Sequence, residues 1–145
     1  MEAELTWAPS HNLQLSANFT NLAVAKYTDY PGVPQQVGLR FPSAPKQQAN
    51  LTAKYSFDEG ALSGFYLGGW IHAQTKTRGT LGSDWHYGIW IPGLVQVSGF
   101  AGYKVGNLDL RLNIDNLTNR GGYVMNNVFQ PQSPRAYYLT AKYTL

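Results

Sequence analysis

The residues best suited to chemistry lie in "SDWHYGIW", residues 83–90. Trp85, His86 and Tyr87 stand in a row there, and Arg78 lies shortly before them. Aromatic faces supply contact area and an arginine supplies charge-assisted hydrogen bonds, so this set suits an anionic, partly aromatic ligand. Tyr30, Arg40 and Phe41, in an earlier loop, extend the same chemistry from the side. The stretch also fits a plainer role, as an aromatic boundary band or a self-packed loop, because Trp90 adjoins a strand.

Catalytic and metal-binding patterns do not emerge from the sequence. His11, His72 and His86 fall in a short turn, on a strand and in a long loop, without metal-ligand spacing. No GxSxG, HExxH or phosphate-loop motif occurs. The expectation is a protein that is not an enzyme and carries no cofactor. Asn18, Asn50 and Asn116 each begin an N-x-T sequon, but the first two fall mid-strand on a polar face, where chance is the better account.

The elements that position these residues read as strands. Helical periodicity is weak, while 15 Gly, 8 Pro and frequent Thr, Tyr and Val favour an all-β chain. Seven strands are expected, over 1–8, 13–27, 47–57, 61–76, 94–105, 108–119 and 135–145. "PSHN", "DEG" and "GN" are tight connections, whereas "TDYPGVPQQVGLRFPSAPK", "TRGTLGSDWHYGIWIP" and "RGGYVMNNVFQPQS" are long. An antiparallel up-and-down meander with one short-looped and one long-looped rim produces that alternation.

Two tight turns set a register. With Gly106 and Asn107 as a two-residue hairpin loop, Val105 faces Leu108, Lys104 faces Asp109 and Tyr103 faces Leu110. A three-residue loop at Asp58, Glu59 and Gly60 sets Tyr55 opposite Ser63, Ala53 opposite Phe65 and Leu51 opposite Leu67. One face is then apolar. The other carries much of the charge: Glu2, Glu4, Lys54, Lys104, Asp109, Arg111, Asp115 and Lys142. Lys54, Lys104 and Lys142 all fall near the short-looped rim, where solvation or pairing accounts for them.

Alternation alone fits both a soluble sandwich and a membrane barrel. The charged fraction, 13%, is about half the share usual in a soluble domain. Several expected strands run to 11–16 residues, longer than soluble strands and long enough to cross a bilayer at a tilt. Trp7, Phe57, Tyr103 and Tyr143 share the apolar face near one rim, as an aromatic girdle does. The net charge of +3 is spread without a Lys/Arg run, which argues against nucleic acid, and the chain has no cysteine to staple or ligate. Seven strands are too few for a closed bacterial barrel, so the expectation is a fragment, with Met1 an accident of truncation and the signal peptide upstream.

Four stretches resemble a known family. "FPSAPKQQANLTAKYSF" and "IPGLVQVSGFAGYKV" resemble the proline-led starts of late strands in TonB-dependent outer-membrane receptors. "LRLNIDNLTNRGGYV" is similar to that family's Asn-x-x-Asn-Leu segment followed by Tyr, here Asn113, Asn116, Leu117 and Tyr123. "PRAYYLTAKYTL" resembles the start of its final strand. The four occur in the family's order over residues 42–145 and look closest to the siderophore-receptor branch.

The resemblance implies that residues 1–145 are the C-terminal segment of a transmembrane β-barrel of about 22 strands, plugged by an absent N-terminal domain. It implies an outer-membrane location, a ferric siderophore as ligand, and outer-membrane lipid around the wall. It further implies TonB acting through the absent plug, and the barrel-assembly machinery reading the terminus at Tyr143 and Leu145. The family usually ends on Phe or Trp, and Leu145 departs from that. The ligand-facing residues would be Arg78, Trp85, His86, Tyr87, Tyr30 and Arg40. Two other readings stay open from the residues alone: a porin-like channel, and a carbohydrate-binding sandwich stacking sugars on Trp85, Tyr87 and Trp90.

Overall fold

A computed structural model of the chain describes residues 1–32, 34–79, 89–126 and 128–145. Eleven strands follow in chain order. They are β1 Glu2–Trp7, β2 Leu13–Asn21, β3 Gln47–Ser56, β4 Phe65–Gln74, β5 Thr77–Gly79 and β6 Ile89–Ile91, then β7 Leu94–Val105, β8 Leu108–Asp115, β9 Tyr123–Asn126, β10 Val128–Pro131 and β11 Ala136–Tyr143. Seven of them form one antiparallel sheet in the order β1-β2-β3-β4-β7-β8-β11. Every neighbour in that order is also the next long strand along the chain, so the sheet is the expected meander. The remaining four make two small hairpins, β5 with β6 and β9 with β10, inside the long connections.

The faces separate cleanly. Leu5, Trp7, Leu51, Leu67, Ile71, Val95, Leu110, Leu112 and Leu139 all lie on one face and are all exposed. Among the described residues Ile91 is the one buried hydrophobic side chain. A sandwich would cover this face with a second sheet, and none does so among the described residues. A contiguous apolar face of this size left bare belongs against lipid or another protein.

The Gly106 turn forms as expected, with Val105 opposite Leu108, Lys104 opposite Asp109 and Tyr103 opposite Leu110. Gly106 takes φ of 54° while Asn107 keeps an ordinary φ, the demand of a turn with glycine first. The register at the Asp58 loop differs from expectation. Tyr55 faces Leu67, Ala53 faces Gly69 and Leu51 faces Ile71. The ladder closes four residues later on the outgoing side, where Phe57 N–H donates to Phe65 O at 2.8 Å and Gly64 N–H donates to Phe57 O at 2.9 Å. Asp58–Gly64 is then a wider loop holding a short 3-10 turn over Gly60–Leu62. Gly64, with φ of 87°, presses so close to the carbonyl of Lys104 that no Cβ would fit. This contact with β7 favours the wide loop over a three-residue one. The slip is by four residues, an even number, so every side chain keeps its face.

Strands also end earlier than the alternation suggests. The second stops at Asn21 rather than 27, and Leu22–Lys46 forms a loop closed by Leu22 N–H donating to Lys46 O at 2.8 Å. The sixth long strand, β8, stops at Asp115 rather than 119 because Asn116 and Asn119 adopt left-handed φ values of 50° and 48°. The strand expected over 61–76 spans Phe65–Gln74. Beyond it β5 and β6 continue the same ladder, since Gln74 faces Leu94 and Thr77 faces Ile91. The break between them falls at Pro92, which has no N–H to give.

The girdle residues sit where expected, at the short-looped ends of their strands. Trp7, Tyr103 and Tyr143 are 56%, 46% and 65% exposed on the apolar face. Phe57 packs edge-on against Tyr55 at 4.8 Å and near Phe65 at 5.7 Å, so two further rings join the band.

Candidate functional site

The long-looped rim is built on two connections that lean on each other. In the loop Leu22–Lys46, Lys26 bridges Arg40 and Tyr27 bridges Val37, bringing Tyr27 beside both Tyr30, at 5.3 Å between rings, and Phe41, at 4.2 Å. Arg40 holds the base of this loop. Its Nε donates to Ala44 O at 3.1 Å, and its Nη2 donates to Leu22 O at 2.8 Å and Pro45 O at 3.1 Å. These bonds make Arg40 a staple across the loop's two roots and commit most of its donors to backbone. Tyr30, 39% exposed, remains accessible.

Arg78 lies on β5 opposite Trp90 of β6. Its carbonyl accepts the Ser43 N–H at 2.8 Å, which joins the Leu22–Lys46 loop to the β5–β6 hairpin. Beside it the Lys76 ammonium stands 4.7 Å from the Trp90 ring centroid, a cation held on an aromatic face. Tyr30, Arg40 and Arg78 are thus carried by two joined connections. Trp85, His86 and Tyr87 lie outside the described residues.

Sequence reasoning missed Gln36. It is 1% exposed, and neither its amide oxygen nor its amide nitrogen has a partner. A buried amide without hydrogen bonds is costly. Nothing in "PGVPQQVG" signals it, since both glutamines read as ordinary loop residues.

The polar face of the sheet holds a second set of groups. Asn50 Nδ2 donates to Asn18 Oδ1 at 2.7 Å, and His72 stands between two amide oxygens, with Nδ1 2.7 Å from Asn50 Oδ1 and Nε2 3.4 Å from Gln74 Oε1. Nearer the short-looped rim, Tyr66 Oη donates to Asp109 Oδ1 at 2.7 Å. Lys104 is the cross-strand partner of Asp109, as the turn requires, yet its ammonium lies beyond ion-pair distance and the carboxylate takes the phenol instead. The Lys54 ammonium stands 5.1 Å from the Tyr66 ring centroid, and the Arg111 guanidinium lies 3.8 Å from that of Phe100.

Two glycines make that arrangement possible. Gly68 pairs with Phe100, whose ring occupies the space a Cβ would need, and Gly102 pairs with Tyr66 in the same way. The rings therefore lie flat over the sheet and support the cations. A cavity of about 540 Å³ opens here, lined by Lys54, Tyr66, Lys104, Asp109, Arg111 and Asp58 among others. An adjoining hollow of about 610 Å³ shares Lys54 and Arg111 and adds Trp70 and Phe100. The charges were legible in the sequence; the available signal for the rings was glycine inside a strand, which marks close approach.

The fold has parallels among solved structures. The ferripyoverdine receptor of the outer membrane of Pseudomonas aeruginosa, bound to ferripyoverdine, superposes with a TM-score of 0.77 at 19% identity, over 98% of this chain and 19% of that one. The ferric-catecholate import receptor Fiu of E. coli K12 gives 0.74 at 19% identity, over 98% and 20%. BauA, the ferric preacinetobactin receptor of Acinetobacter baumannii, gives 0.68 at 24% identity, over 98% and 22%. The chain spans about a fifth of the length of each, and at these identities the likeness is one of fold. No curated sequence matches the chain. The family profile described as "TonB dependent receptor-like, beta-barrel" matches residues 1–117, most of the length. This chain, an antiparallel wall with one lipid-suited face and one polar face, belongs to the TonB-dependent receptor β-barrel family.

Proposed function

We propose that the chain is part of the barrel of an outer-membrane receptor that imports a ferric siderophore with energy delivered through TonB. In this reading it supplies wall and ligand loops, does no catalysis, and forms the C-terminal part of the barrel, as the order of its strand-leading motifs suggests. The observation that carries the reading is the rim on which Tyr27, Tyr30 and Phe41 cluster in one loop, joined through the Ser43–Arg78 backbone hydrogen bond to the β5–β6 hairpin that carries Lys76 and Arg78. Aromatic rings and cations together suit a bulky anionic chelate. The fold neighbours named as receptors for ferripyoverdine, ferric catecholate and ferric preacinetobactin support that ligand class.

Trp85, His86 and Tyr87 join the ligand surface in this proposal on their chemistry and sequence position. The surrounding bilayer contacts the exposed apolar face, and the barrel-assembly machinery reads Tyr143 and Leu145. The test is ferric-siderophore binding and uptake by the full-length receptor in cells with and without TonB. Uptake that depends on TonB, and that falls at least tenfold in a Trp85→Ala, Tyr87→Ala double variant, supports the reading. Unchanged affinity in that variant removes those two residues from the site, and no binding of any ferric chelate removes the ligand class.

A further inference from the structure

The turn that follows β8 folds onto the apolar face. Leu117 N–H donates to Val97 O at 2.7 Å, and the Leu117 Cδ1 lies 3.0 Å from where a Cβ on Gly99 would stand. Gly99, Ile114 and Tyr137 form one row across β7, β8 and β11 on that face. Leu117 and Tyr137 are both exposed there.

Two arginines flank them. Asn116 Nδ2 donates to the carbonyls of Arg120 and Ser133, each at 3.0 Å, and Asn119 Oδ1 accepts the Arg135 N–H at 3.0 Å. These bonds pinch the two roots of the loop leading to β11, so Arg120 and Arg135 are carried on one braced base. Both are exposed, and among the described residues neither has a carboxylate within ion-pair distance. Asp115 is the one acid after Asp109 in the sequence, and it stands opposite Ala136 on the polar face. The base of this loop is therefore a patch of positive charge bordering exposed apolar side chains.

Height decides which surroundings meet that patch. Tyr143 belongs to the aromatic band at the short-looped boundary, and Arg135 precedes it by eight residues, just before β11 begins. At about 3.4 Å per residue and a tilt of about 40°, that separation is about 21 Å in height, against about 25 Å for the whole lipid-facing band. Arg120 and Arg135 thus fall at the headgroup level of the opposite leaflet. The guanidinium fork matches a pair of phosphate oxygens, and cations at a membrane surface attract anionic headgroups.

We propose that Arg120 and Arg135, braced by Asn116 and Asn119, form a docking site for the phosphate of an anionic lipid whose acyl chains lie along Leu117 and Tyr137. The inference rests on the reading of the chain as outer-membrane barrel wall. It adds a particular headgroup, at a particular place, to the general lipid contact of the apolar face.

Native mass spectrometry of the full-length receptor in dodecyl maltoside tests it, with titration by lipid A carrying two phosphates and by the same lipid after both are removed. The phosphorylated form should bind at least tenfold more tightly, and an Arg120→Gln, Arg135→Gln double variant should lose that preference. An Arg120→Lys, Arg135→Lys double variant should keep part of it, because the charge stays while the fork is lost. Lys142→Gln, on the polar face, should leave it unchanged. Equal binding of the two lipids by the wild type overturns the proposal, as does an undiminished preference in the double glutamine variant. Full displacement by excess inorganic phosphate also overturns it, since the occupant would then be a free anion with no use for the apolar border. Heat-modifiable migration on gels, recorded for every protein, separates these failures from that of the underlying reading. Its absence from the wild type would refute the barrel itself, and its presence in a variant shows that binding rather than folding was removed. Should the double glutamine variant lack it, the two single glutamine variants carry the test, each expected to lower the preference at least threefold.

Discussion

Arg111 lies 3.8 Å above the Phe100 ring, and Phe100 in turn occupies the space beside Gly68 where a Cβ would be. One missing side chain on β4 thereby sets the position of a cation on β8, two strands away. Gly68→Val should press on both the Ala53 carbonyl and the Phe100 ring, push Phe100 off the sheet, and cost about 1–3 kcal/mol through overpacking. The expected readout is a lower temperature for loss of heat-modifiable migration, together with a changed Trp70 environment in fluorescence, since Trp70 packs 6.4 Å from Phe100. An unaltered melting temperature would show that the ring has no fixed place.

The two faces of the sheet make a second prediction. Leu112, in the middle of β8, is exposed on the apolar face, and Thr52 of β3 is exposed on the polar one. Leu112→Arg should destabilise the folded barrel by about 2–4 kcal/mol, as expected for a lipid-facing charge near the midplane, while Thr52→Arg should cost little. Urea unfolding of the receptor in lipid vesicles measures both. Equal costs would mean that the faces have been assigned to the wrong solvents.

The sheet was legible because its evidence is local. Period-two alternation set the faces from Leu108 to Ile114, and Gly106 set the turn before them. The slip at Tyr55 was hidden because the contact that decides it, Gly64 against the Lys104 carbonyl, joins residues far apart in sequence. The early end of β2 at Asn21 was hidden for a related reason: Leu22–Val24 keep a strand-like composition, and the loop closes through Lys46. At the rim, Arg40 read as a free cation because sequence does not reveal which carbonyls lie within reach. On the polar face the charges were readable one by one, but the rings that hold them were not, since a cation over an aromatic ring leaves no spacing rule across strands.

Arg40 yields a third prediction. Its three hydrogen bonds tie Leu22 to Ala44 and Pro45, the two roots of the Leu22–Lys46 loop. Arg40→Ala should loosen the loop by about 1–3 kcal/mol, and Arg40→Lys should restore only part, because a single ammonium cannot reproduce the fork. Limited proteolysis of the intact receptor should cut between Lys26 and Lys46 fastest in the alanine variant and at an intermediate rate in the lysine variant. Equal rates in all three proteins would assign the staple no structural weight.

Asn116 makes the sharpest case at the opposite side of the same rim. It is 1% exposed and left-handed, with its Nδ2 donating to Arg120 O and Ser133 O, each at 3.0 Å, and its Oδ1 accepting the Arg120 N–H at 3.0 Å. Its own N–H donates to Ser98 Oγ at 3.3 Å, so one side chain and its backbone join β7, the end of β8 and both roots of the loop leading to β11. Asparagine suits the position twice, by tolerating the left-handed region and by both donating and accepting through its amide. Asn116→Gly keeps the backbone freedom and removes the bonds, whereas Asn116→Asp keeps the acceptor and removes the donor. Glycine should therefore destabilise the loop roots by about 2–3 kcal/mol, and aspartate by at least as much, since its charge would face the Ser133 and Arg120 carbonyls. Hydrogen exchange at the amides of residues 117–122 should accelerate in both variants while β3 and β4 stay protected. Protection equal to wild type in Asn116→Gly would show that the backbone turn alone holds the loop.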